Sequence, residues 1–136
     1  MVKNIIVCVI FILFSALAFT QEQDLSGGRL YRYDPEEYSE PWIMVDMNED
    51  GIIDHTLLLD DQGDRVEEAM DFNKDGFMDV FYFYKKGALK YQHIDTNYDQ
   101  KIDTWITLKE GIYIQKYVMD VDFDGKPDIT KDYDEE

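Results

Sequence analysis

Four nine-residue segments written to one pattern recur along this chain: Asp46-Met-Asn48-Glu-Asp50-Gly51-Ile52-Ile-Asp54, Asp71-Phe-Asn73-Lys-Asp75-Gly76-Phe77-Met-Asp79, Asp95-Thr-Asn97-Tyr-Asp99-Gln100-Lys101-Ile-Asp103 and Asp120-Val-Asp122-Phe-Asp124-Gly125-Lys126-Pro-Asp128. Their first aspartates stand 25, 24 and 25 residues apart. A fixed period of this length means that one supersecondary unit is copied along the chain. Whatever fold the chain takes must therefore repeat as well.

The residues between the segments give the unit its content. His55 to Asp60, Val80 to Lys85 and Thr104 to Lys109 are apolar and rich in β-branched and aromatic residues, so they read as strands. Gly63, Gly87 and Gly111 follow, 24 residues apart, as tight turns. Second strands, Arg65 to Met70, Leu89 to Ile94 and Ile112 to Met119, lead into the next segment. Trp42 to Val45 supplies the strand entering the first copy, and Ile129-Thr130 begins a last, stunted one. The expectation is all-β: an antiparallel β-meander of about four hairpins, with the Asp-rich loops along one edge and the glycine turns along the other.

Oxygen donors at positions 1, 3 and 5, a glycine for the sharp turn at 6 and an acid at 9 suit a loop that wraps a hard cation. A single Asp-Asn-Asp-Gly cluster is commonly only a solvated turn. Turn chemistry alone does not ask for oxygens at 1, 3, 5 and 9 in four copies. The candidate ligands are the side chains of Asp46, Asn48, Asp50 and Asp54; Asp71, Asn73, Asp75 and Asp79; Asp95, Asn97, Asp99 and Asp103; and Asp120, Asp122, Asp124 and Asp128. The backbone carbonyls of Ile52, Phe77, Lys101 and Lys126 would join them. Oxygen donors without His or Cys favour Ca²⁺ over zinc or copper. Up to four Ca²⁺ are expected, with affinities in the ~10⁻⁴ to 10⁻³ M range of extracellular modules. The fourth loop has the most carboxylates. The third should be weakest, because Gln100 replaces glycine and must take a positive φ or loosen the turn. EF-hands, whose flanks are helical, place a bidentate Glu at position 12; this chain has Leu57, Tyr82, Ile106 and Lys131 there.

Flanked by strands, these Asp-x-[Asp/Asn]-x-Asp-Gly-x-x-Asp loops resemble the calcium loops of secreted bacterial repeat proteins. Asp120 to Ile129 in particular is similar to the loop of FG-GAP and VCBS β-propeller repeats, and the same nine residues occur in EF-hand-like, thrombospondin type 3 and dockerin settings. Propeller blades run to ~40–50 residues per repeat, longer than the unit here. The resemblance therefore covers the loops within residues 42–130 and implies a calcium-stabilised secreted or surface protein.

The first twenty residues differ from the rest. Lys3 precedes an apolar run from Ile5 to Phe19, and Ala16-Leu17-Ala18 offers small residues for cleavage, the pattern of a secretory signal peptide. No span is expected after its removal, and the expected location is secreted, periplasmic or cell-surface, in a bacterial envelope. Residues 21–40, with Gly27-Gly28 and Pro35, read as a linker holding one short strand at Leu30 to Tyr33. Residues 41–130 form the repeat domain, and 131–136 an acidic tail. The formal net charge is −17, and loss of Lys3 with the signal makes it −18. Such self-repulsion opposes compaction, and bound cations would relieve it. Nucleic acid is excluded as a partner, since binding it needs Lys and Arg against phosphates.

Trp42, Tyr82, Tyr84 and Trp105 are candidates for an aromatic surface that stacks on a glycan or a protein at the cell surface. The alternative for them is ordinary core. His55 and His93 lie in strand segments with no nucleophile at repeated spacing beside them. Nearly every clustered acid belongs to a loop, so no catalytic residues and no enzymatic activity are expected.

Overall fold

The computed structural model describes residues 41–134, and these contain strands and no helix. The predicted signal segment and linker lie outside the described residues. The strands are β1 (Ile43–Val45), β2 (His55–Leu59), β3 (Arg65–Met70), β4 (Val80–Lys85), β5 (Ala88–Ile94), β6 (Thr104–Lys109), β7 (Tyr113–Met119) and β8 (Ile129–Asp132). They form one sheet in the order β1-β2-β3-β4-β5-β6-β7-β8, every neighbouring pair antiparallel. This is the expected meander. The four Asp-rich loops join strands at one end of the sheet, and the three glycine turns join them at the other.

The turns explain the registers. Lys86-Gly87 and Glu110-Gly111 both have two residues at positive φ, 54° and 72° in the first and 57° and 72° in the second. Two positive φ values in succession match the right-handed twist of a hairpin. The first turn is longer: Asp60 donates its N–H to the Asp64 carbonyl at 2.9 Å and accepts from the Gly63 N–H at 3.0 Å. Each hairpin then slips its register once, between Leu58 and Leu59, Phe83 and Tyr84, and Thr107 and Leu108. The extra residues opposite these slips are Val66, Lys90 and Gln115. A bulge increases local twist, so its recurrence curls the sheet at regular intervals.

Pairing also assigns the two faces. Phe81 faces Ala69 on one side and His93 on the other, and His93 faces Trp105. These side chains share one face with Thr56 and Val118. The core lies here: Ala69, Met78, Phe81 and Ile102 are buried together, with Ile53, Phe83 and Trp105 packed against them. Ile53, Met78 and Ile102 are the eighth residues of the first three loops. Each loop therefore turns an apolar side chain back over the sheet, and burying the Phe81 ring beneath them stabilises by ~1.5–3 kcal/mol. His93 lies on this face with its ring centroid 5.0 Å from that of Phe83 and its Nδ1 without a hydrogen bond. Burial pushes its imidazole pKa down to about 4, so His93 is a neutral core residue at pH 7.

The opposite face carries Val80, Tyr82 and Tyr84 of β4 with Leu57, Ile94 and Ile106. Its one buried acid, Glu68, is well partnered. His55 Nε2 lies 2.8 Å from Oε1, Tyr84 donates its hydroxyl to Oε2 at 2.9 Å, and Arg65 donates to Oε2 at 3.3 Å. A buried carboxylate is tolerable when its oxygens are satisfied in this way.

β8 runs two residues into the segment expected to be tail. Lys131 pairs with Tyr117 and Asp132 with Lys116 across the ladder. The β7–β8 ladder holds both residues in the sheet, and the placement of Asp132 opposite Lys116 is favourable in an antiparallel pair. Asp134 then accepts from Gln115 Nε2 at 2.6 Å.

Candidate metal centre

Each loop is built around its first aspartate. In the second loop, Asp71 Oδ1 accepts from the Lys74 N–H at 2.6 Å and Oδ2 from the Gly76 N–H at 2.7 Å. The same two bonds tie Asp46 to Glu49 and Gly51, at 2.6 and 2.8 Å, and Asp95 to Tyr98 and Gln100, both at 2.7 Å. In the fourth loop, Asp120 accepts from Asp124 at 3.2 Å and Gly125 at 2.7 Å. In the first three loops the donors are positions 4 and 6, and in all four loops these two positions are left-handed. Glu49, Lys74, Tyr98 and Phe123 have φ of 62°, 64°, 62° and 61°, and Gly51, Gly76, Gln100 and Gly125 have 90°, 89°, 72° and 89°.

Positions 3, 5 and 9 are fixed by the same means. The side-chain oxygens of Asn48, Asn73, Asn97 and Asp122 accept from the N–H of position 5 at 3.0, 2.9, 3.1 and 3.2 Å. The carboxylates of Asp50, Asp75, Asp99 and Asp124 accept from Ile52, Phe77, Lys101 and Lys126 at 2.9, 2.9, 3.1 and 2.9 Å. Asp54, Asp79, Asp103 and Asp128 reach back to the N–H of position 2, that is Met47, Phe72, Thr96 and Val121, at 2.6, 2.7, 2.8 and 2.7 Å. A carboxylate has about four lone-pair sites. These bonds aim each acid inward and leave lone pairs over for a cation.

Neighbouring loops are joined directly. The backbone N–H of Asp71 donates to the Asp54 carbonyl, that of Asp95 to Asp79 and that of Asp120 to Asp103, each at 2.8 Å. The ninth residue of one loop thus carries the first residue of the next. Asp54, Asp79 and Asp103 are buried. Asp128, beside which no further loop lies among the described residues, is exposed.

Convergence of carboxylates differs among copies. Oxygens of Asp71, Asp75 and Asp79 lie within 4.8 Å of one another, as do those of Asp120, Asp122 and Asp124, so each triad could hold a metal ion. Among the described residues the first and third loops bring no three acids so close. Both have Asn at position 3, as the second loop does, so the difference lies in how their acids are spread.

Electrostatics singles out the second loop. Burial is the largest cause that pushes the Asp79 carboxyl up to about 6, and the nearby Asp71 and Asp75 charges add to it against the Phe72 and Asn73 N–H groups. Burial likewise raises Asp95. Asp46 goes the other way, held below the usual range chiefly by the Gly51 N–H. A buried carboxyl among like charges is a group whose ionised form a divalent cation stabilises.

Of the two expectations for Gln100, the structure takes the positive φ and keeps the loop closed. The left-handed conformation costs a non-glycine residue ~1 kcal/mol relative to glycine. Gln100→Gly is therefore expected to stabilise the domain by about 0.5–1 kcal/mol, read as a higher urea midpoint with unchanged slope. A lower midpoint would mean that the Gln100 side chain holds the loop by contacts of its own.

The four aromatic candidates do not share one surface. Tyr82 and Tyr84 lie on one face of β4; Trp105 lies on the other, against the core, and Trp42 is half-buried ahead of β1. The eighth loop residues were missed as structural determinants, although an apolar Ile53, Met78, Ile102 and Pro127 at that place in all four copies was a readable signal. No protein-family model matches this chain, and no curated protein matches it.

Proposed function

We propose that this protein is a secreted or surface structural module whose Asp-rich loops bind Ca²⁺ and whose folding is coupled to that binding. The observation that carries the reading is the inward aim of Asp71, Asp75 and Asp79 and of Asp120, Asp122 and Asp124, two acid triads built by the same backbone bonds. Calcium is favoured over softer ions because every donor is an oxygen. The net charge of −17 supports the coupling, since cations that bind only where the acids converge stabilise the folded state over the unfolded one. The loop pattern shared with calcium-binding repeats, and the signal-like first twenty residues, support the secreted setting.

Thermal melting in Ca²⁺ against EDTA tests it. With Ca²⁺ at ten times a Kd of ~1 mM, each working site adds about 1.4 kcal/mol. Two sites then raise Tm by roughly 10 °C or more for a domain of this size. Calorimetric titration counts the sites, and two or more are expected. Equal melting temperatures in Ca²⁺ and EDTA would remove the proposal.

A further inference from the structure

The third Asp-rich loop differs from the others at its ninth residue. Asp103 Oδ2 accepts both the N–H and the hydroxyl of Thr96, each at 2.8 Å, and Oδ1 accepts the hydroxyl of Thr104 at 2.8 Å. In the other loops the bonds to the ninth carboxylate fall on Oδ2 alone: from Met47 to Asp54, from Phe72 and Asn73 to Asp79, and from Val121 and Asp122 to Asp128. The cause is local sequence. Positions 2 and 10 are Met47 and His55, Phe72 and Val80, and Val121 and Ile129 in those copies, so the third alone has a hydroxyl at either place.

A buried carboxylate needs its charge stabilised, and Asp103 is 3% exposed. Three donors spread over both of its oxygens do this, since hydrogen bonds to an ionised group are the strong kind. They take three of about four lone-pair sites. Asp79, 2% exposed, has no donor on Oδ1 and lies instead within a triad of acids. Among the described residues no three acids of the third loop converge in that way. The third loop is nevertheless gripped from both sides. The Asp95 N–H donates to the Asp79 carbonyl of the second loop, and the Asp103 carbonyl accepts the Asp120 N–H of the fourth, each at 2.8 Å.

We infer that the third loop is closed by Thr96 and Thr104 rather than by a cation, and that it serves as a fixed spacer between the second and fourth loops. The inference rests on the reading of those two loops as Ca²⁺ sites. The hydroxyls supply at Asp103 the charge stabilisation that a divalent ion supplies to the triads. A spacer that is closed without an ion keeps Asp79 and Asp120 in register before any ion arrives. Gln100 at positive φ fits this role, because the loop is closed by bonds that do not depend on glycine at position 6.

Amide hydrogen exchange followed by NMR reads each loop separately, through the N–H of its sixth residue, which donates to the first aspartate. Adding Ca²⁺ to the EDTA-treated protein should slow exchange at Gly76 and Gly125 by about tenfold or more and change Gln100 by less than about twofold. In EDTA, T96V/T104V should speed exchange at Gln100 by about tenfold and leave Gly51 unchanged. Thr96 is exposed, so T96V alone keeps the fold and should show a smaller part of the same change. Slowing of Gln100 by Ca²⁺ equal to that of Gly76, or unchanged Gln100 exchange in both threonine variants, would overturn the inference. Indifference of all four sixth-residue amides to Ca²⁺ would instead remove the calcium reading, and the spacer role with it. That failure is told apart because the effect of the threonine variants in EDTA survives it.

Discussion

Replacing Asp71 by alanine is expected to cost the domain about 2–4 kcal/mol even in EDTA, the largest loss of any single loop substitution. Asp71 is 2% exposed and accepts the Lys74 and Gly76 N–H groups at 2.6 and 2.7 Å. Removing the carboxylate strands two inward-pointing donors, and a buried donor left without a partner costs ~1–3 kcal/mol. The left-handed backbone at Lys74, φ 64°, also loses the bond that justified it. Asp46→Ala removes the same pair of bonds from a half-buried site, where water can take over, and should cost less than half as much. Urea denaturation of both variants in EDTA gives the comparison. Equal losses would show that burial of the first aspartate does not set what its carboxylate contributes. In Ca²⁺ the gap between Asp71→Ala and the parent chain should widen, because the variant loses one member of a triad as well.

The pH profile of the cation-free protein should carry the mark of the same loop. Asp79 has a raised folded pKa, about 6 against an unfolded value near 3.8. Its contribution is present in full below pH ~4 and is lost as pH rises through 6. His93 works in the opposite sense: its folded pKa is depressed to about 4 from 6.5, so its contribution is present above pH ~6.5 and is lost as pH falls toward 4. The two oppose each other over one window, which flattens the profile. A cation held by Asp79 would keep it ionised and leave the His93 loss uncovered.

Much of the architecture was legible because each level of the chain says the same thing. Strand, glycine turn, strand and Asp-rich loop recur with one period, and a local error in reading one copy is corrected by the other three. The loop interiors were legible for the same reason. What escaped were features that depend on three dimensions. The bulges at Val66, Lys90 and Gln115 have no common residue type, since an extra residue in one strand is a matter of register rather than of side chain. Lys131 and Asp132 looked like tail because their strand partners, Tyr117 and Lys116, are remote in sequence. The unequal convergence of acids in the four loops was hidden by their near-identical spelling. Trp105 and Tyr82 looked alike as strand aromatics, yet an odd and an even place in aligned strands put them on opposite faces.

Which face holds the core is the point at which sequence fell silent and the structure commits itself. Apolar residues alternate on both faces of β4, so periodicity alone leaves Phe81 and Tyr82 equivalent. The loops decide between them, because Met78 and Ile102 fold back onto the face of Phe81 and close it from water. Phe81, 1% exposed, is the largest side chain so enclosed. Phe81→Ala should then cost ~3–5 kcal/mol, the range for emptying a well-packed aromatic site. Tyr82→Ala, at a half-buried position on the open face, should cost about 1–2 kcal/mol, the transfer of a partly covered ring without an enclosed cavity. Equilibrium urea unfolding in EDTA measures both. A reversed order would place the core on the Tyr82 face, and the eighth residues of the loops would then lose the role given to them here. With the order as stated, Met78→Ala should reproduce part of the Phe81 loss, because the Asp-rich loop and the core are two sides of one short segment: Asp79 turns toward the acids while Met78 turns toward the ring.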